Sequence, residues 1–166
     1  MAIVQASLRD IGHTILKKTN SESDRRPVRE GIVASGQTIY PGQIIRRTGA
    51  NQWTLSALTQ LQGGVALAVE NEFCDEPTLR AVDVPYTAGE TIFYVILQPG
   101  DEAYIFVADG QAIADSEAMK PTTGGLLTQG TTTGAAVVEN VFTATEALSP
   151  SGTDDRIGAL YLAGVA

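Results

Sequence analysis

The chain has one histidine, His13, one cysteine, Cys74, and one tryptophan, Trp53, among its 166 residues. A lone cysteine excludes an intrachain disulfide framework, and one Cys with one His falls short of the ligand set of a zinc site. Any histidine-based triad would have His13 as its base, but no Cys or Ser cluster lies near it and no Gly-x-Ser-x-Gly segment is present. Gly63-Gly64 and Gly124-Gly125 lack the spacing of a phosphate-binding loop. The acid pairs Asp75-Glu76, Asp101-Glu102 and Asp154-Asp155 lack the Asp-x-Asp-x-Asp-Gly pattern of a calcium loop and read as solvated turns. The expectation is no catalytic residue, no metal, no cofactor and no enzyme.

Aromatic residues are also scarce, at 6%, so the core must be built from Val, Ile, Leu and Ala. No apolar run approaches the roughly 20 residues of a membrane-spanning helix, and no membrane partner is expected. The opening segment, MAIVQASLRDIGH, lacks a basic stretch followed by an apolar one, which predicts synthesis in the cytoplasm without a signal peptide. Basic residues are outnumbered by acidic ones, for a net charge of −8. Direct nucleic-acid binding needs a basic face and is not expected.

What the chain has is repetition. Residues 33–45 read VASGQTIYPGQII and residues 107–119 read VADGQAIADSEAM, with Val33/Val107, Ala34/Ala108, Gly36/Gly110, Gln37/Gln111 and Ile39/Ile113 identical. A Gly-rich turn follows each copy, and then a strand ending in Val-Glu-Asn: ALAVEN (66–71) and AAVVEN (135–140). Short apolar runs alternate with Gly, Pro and Asn turns every 6–12 residues or so, the signature of a small β-barrel or sandwich. The fold class is therefore all-β. A body spanning 29–166 contains two related units, about 31–71 and 105–140. The run Thr91–Leu97 is apolar on both faces and is predicted to be a central strand, with a further strand expected over Thr78–Val84.

Residues 1–28 form an N-terminal arm of different character. Val4, Leu8, Ile11 and Ile15 fall at helical spacing, although an extended strand is equally compatible, and 19–27 (TNSESDRRP) reads as a linker. Residues 1–31 carry six basic and four acidic side chains, against five and fifteen in 32–166. A basic arm on an acidic body implies a separate task for the arm. The candidate partner-binding residues are Ile3, Val4, Leu8 and Ile11 as apolar anchors, with Arg25, Arg26 and Arg29 for charge complementarity. Deleting 1–28 is expected to leave the body folded.

The segment LQPGDEAYIFVADGQAIADSEAMKPTTGGLLTQG, followed by AAVVENVFTATEAL, resembles the layout of capsid decoration, or cement, proteins of tailed phages. In those proteins a strand after a Pro-Gly turn leads to a Gly-Gln turn, a hairpin with a Gly-Gly tip and an alanine-rich close, here Ala136, Val138, Glu139, Ala144 and Glu146. The resemblance, to proteins similar in role to the lambda-type head decoration protein, implies a homotrimer on the outer surface of a virion. It implies the major capsid protein as partner, with the arm bridging neighbouring shell subunits. It implies neither enzyme activity nor a cofactor. Two other readings remain open: a tail or head–tail connector β-barrel, and a carbohydrate-binding module using Trp53, Tyr40 and Tyr86 as a platform.

Overall fold

The computed structural model describes residues 15–18, 27–56, 64–71, 81–130, 141–148 and 155–162. Strand β1 is Leu16–Lys18. Residues 29–96 supply β2 (Arg29–Val33), β3 (Thr38–Ile39), β4 (Ile44–Gly49), β5 (Gln52–Leu55), β6 (Ala66–Ala68), β7 (Tyr86–Thr87) and β8 (Thr91–Ile96), so the first half runs beyond the expected unit 31–71. Residues 102–161 supply β9 (Glu102–Phe106), β10 (Ala118–Thr122), β11 (Leu126–Gln129), β12 (Phe142–Ala144) and β13 (Arg156–Tyr161), again beyond the expected 105–140. The all-β expectation holds.

β2, β5, β4, β6 and β8 close into a barrel, and β1, β9, β13, β12, β10 and β11 form a six-stranded sheet in that order. Register shows that the second sheet is the same barrel again. Ile45 faces Leu55 across β4–β5, and 74 positions on, Met119 faces Gln129 across β10–β11. Ile45 also faces Ala66, as Met119 faces Phe142. Ala68 faces Tyr94, as Ala144 faces Ala159. Arg29 faces Tyr94, as Ala103 faces Ala159. Even the parallel closure recurs: Val33 pairs with Trp53, and Val107 bridges Leu127. The Ala34 and Ala108 N–H groups donate to the Trp53 and Leu127 carbonyls at the same 2.8 Å. The shared turn explains the shared letters, since Gly36 and Gly110 both sit at φ +73°, where a Cβ is disfavoured.

One sequence correspondence is corrected by this register. The counterpart of β6 is β12, residues 142–144, and not 135–140, which lie outside the described residues. Residues 81–83 of the expected strand 78–84 are instead a 3₁₀ turn. Pro85 follows immediately and cannot extend a ladder, and the Val82 carbonyl is taken by the Arg156 side chain. Thr91–Ile96, by contrast, is a central strand, paired with β2 on one side and β6 on the other.

Alternation sends Val33, Ile45, Trp53, Ala66, Ile92 and Tyr94 into the first barrel and Val107, Met119, Leu127, Phe142, Ile157 and Ala159 into equivalent positions of the second. The fillers differ while the frame does not. Trp53 fills the first barrel because Gly31 opposite has no side chain: an added Cβ there would overlap the indole. The second barrel has Ile105 and Leu127 at those two places. The outer face of the first barrel is also apolar. Ile44, Val65, Leu67, Val69, Val95 and Leu97 join one continuous core with the second barrel. Each fully buried aliphatic of this kind contributes about 1.5–3 kcal/mol, so the two barrels are welded together along one face.

Candidate interface: the barrel seam and the arm root

The seam begins with backbone that approaches unusually closely. Gly125 donates its N–H to the Ser56 carbonyl at 3.0 Å, and Phe106 donates to the Gly42 carbonyl at 3.0 Å. The Gln43 side-chain amide donates to the Gly124 carbonyl at 3.2 Å. A Cβ at Gly125 would overlap the Ile44 carbonyl, so only glycine admits the second barrel this near.

Arg156 sits on top of this contact. Its Nε donates to the Pro41 carbonyl at 3.2 Å, its Nη2 to the Val82 carbonyl at 2.9 Å, and its Nη1 lies 3.5 Å from Asp83 Oδ1. The guanidinium carbon stands 3.9 Å over the Phe106 ring, which in turn meets Tyr40 edge-on. The planar fork suits this use, because one rigid group satisfies three acceptors on the first barrel while it stacks on the second. Elsewhere in the second barrel, Tyr161 packs against Phe142 with ring centroids 5.3 Å apart. Burial pushes the Tyr161 phenol above its ordinary range, because the charged form would lose its water.

The arm enters at the same seam. Ile15 is 0% exposed and Leu16 is also buried. The Ile15 N–H donates to Glu70 Oε1 of the first barrel at 3.4 Å, and its carbonyl accepts from the Tyr104 N–H of the second at 2.7 Å. β1 then runs antiparallel to β9, with Leu16 opposite Ala103 and Lys18 opposite Glu102. Residues 15–18 therefore belong to the body, inside the span the sequence assigns to the arm. The expectation that deleting 1–28 spares the fold is corrected accordingly, since that deletion removes part of the core.

Of the candidate contact residues, Arg29 is exposed and starts β2. Ile3, Val4, Leu8, Ile11, Arg25 and Arg26 lie outside the described residues, as do His13 and Cys74. The structure adds Ile15, Glu70, Arg156 and the seam glycines, of which only Ile15 carried a signal, as the last member of the arm's apolar series. The aromatic platform is not formed. Trp53 and Tyr86 are 7% and 4% exposed, the first inside its barrel and the second bonded through its hydroxyl to the Val69 carbonyl; Tyr40 alone faces solvent. Among the described residues no group of three His, Cys, Asp or Glu side chains is placed to hold a metal ion, and no helix is long and apolar enough to cross a membrane.

No family model matches the chain, and no curated protein matches it in sequence. The fold is similar to that of a solved structure, the N base of head fiber gp8.5 from bacteriophage phi29. That likeness has a TM-score of 0.55 at 8% identity, and it covers 86% of this chain and 98% of the phage chain.

Proposed function

We propose that this chain is a structural virion protein, not an enzyme, that seats on the outer surface of a phage head as a trimer. It stabilises the shell by bridging neighbouring copies of the major capsid protein. The observation that carries this reading is the extent of the likeness: a head-fiber base is matched over nearly its whole length by the double barrel, and not through one common sheet. The seam supports it physically. A protein that adds strength to a shell must itself be rigid, and two barrels sharing one core form a stiff block with a strand of the arm built into it. Binding of such a block to the assembled lattice, and not to its parts, stabilises the lattice by mass action.

The test is to mix the purified protein with expanded, empty phage heads and sediment the mixture. Saturable co-sedimentation, with heads that then resist heat or dilution better, is the expected result. Free protein left in the supernatant at every ratio would overturn the proposal. Electron microscopy of the protein alone separates the connector alternative, which would give tail-like or portal-like tubes.

A further inference from the structure

The two barrels of one chain meet through different faces. The first barrel offers the outer surface of β4, β6 and β8; the second offers the outward side of β9 (Tyr104, Phe106) and the turn Gly124-Gly125. Because the barrels share one register, each also owns the face that the other uses. On the first barrel, the residues matching the outward side of β9 are Val28, Glu30 and Ile32, and the matching turn is Ala50-Asn51. On the second, the residues matching Ile44, Val95 and Leu97 are Ala118, Leu160 and Leu162.

The structure records three exposed large hydrophobic residues among those described, Val28 at 51%, Leu162 at 45% and Tyr40. Two of the three fall on these two unused faces, one on each. From this we infer that the chain docks onto a second copy of itself head to tail. The Val28/Glu30/Ile32 face of one copy seats on the Ala118/Leu160/Leu162 face of the next, repeating between copies the packing that joins the barrels within one. Both faces are present on every molecule and differ from each other, so the contact is heterologous, and the trimer of the proposed function requires that its rotation close into a ring. A ring of three, the count taken from the proposed function, sets six barrels around one axis.

The substitutions indicate how tight this contact is. Where the seam has Gly42, Gly124 and Gly125, the second pair of faces has Ser116, Ala50 and Asn51, and Asn51 keeps the positive φ of its glycine counterpart, 63° against 70°. Where the seam has Leu67 and Val69, the outer face of the second barrel has Thr143 and Thr145. Side chains at the point of closest approach hold the copies further apart than the barrels, and the threonines make the surface more polar. The contact is the separable kind, an apolar centre with a polar rim.

The test needs no phage heads, so it can fail separately from the proposed function. In a Cys74→Ser background, Val28→Cys and Leu162→Cys are made as separate single-site proteins and treated with a short bismaleimide, alone and mixed. The expected result is a covalent dimer in the mixture and none in either protein alone. Dimers of Val28→Cys with itself, or no dimer in the mixture, would overturn the inference. Native mass spectrometry of the unmodified protein gives a second reading. A closed ring that falls to single chains in Leu162→Asp, with an unchanged circular dichroism spectrum, supports it; a single chain in the unmodified protein sinks it.

Discussion

The clearest lesson at the scale of single residues comes from Gly31 and Trp53. They form one filling unit, in which the indole occupies the space that a side chain at 31 would need. The other barrel divides the same space between Ile105 and Leu127. Gly31→Ala should therefore destabilise the protein by about 1–3 kcal/mol through overpacking, read as a lower urea midpoint with an unchanged slope. Combining it with Trp53→Leu should recover part of that loss, so the double variant is less damaged than the sum of the single ones. Two independent, additive losses would show that the pair does not share one space. Nothing in the local sequence of β2 announces this pairing, because its two members meet only when the barrel closes.

At the scale of elements, β1 decides where the body starts. Removing residues 1–14 should leave the thermal midpoint close to that of the full chain. Removing 1–18 takes Ile15 and Leu16 out of the core and leaves the Tyr104 N–H without its acceptor. That loss is expected to be about 3–5 kcal/mol, from the cost of emptying a buried aliphatic site together with an unmade backbone bond. Equal midpoints for the two truncations would disprove the anchoring role. The sequence made the short strands and their turns legible, because alternation and Gly-Pro punctuation are local properties. It also exposed the doubling through the VASGQ and VADGQ turns. It did not locate the counterpart of β6, which the strand register puts at 142–144 and which shares no letter pattern with ALAVEN. The seam was not legible either: Arg156 and Gly125 have meaning only through Pro41, Val82 and Ile44, which lie 74 or more positions away.

For the whole molecule, a shared core predicts shared unfolding. Ile44, Leu67 and Val95 of the first barrel lie in the same apolar cluster as Ile105, Met119 and Ile157 of the second. Separating the barrels would expose that face to water at roughly 25 cal/mol per Å². One calorimetric transition is expected, with matching van't Hoff and calorimetric enthalpies. Two resolved transitions, or a stably folded fragment 27–97 on its own, would mean that the barrels are independent. A single cooperative block also explains how so similar a pair of frames tolerates different fillings, since neither barrel has to be stable alone.

The position of Ile15 has a mechanical side. Its amide is tied to one barrel and its carbonyl to the other, so tension applied through the N-terminal tether enters the joint itself and is divided between both halves. β1 is the outermost strand of its sheet, yet a tug on it is resisted by a cooperative block, because it must break ties to both barrels and not to one alone.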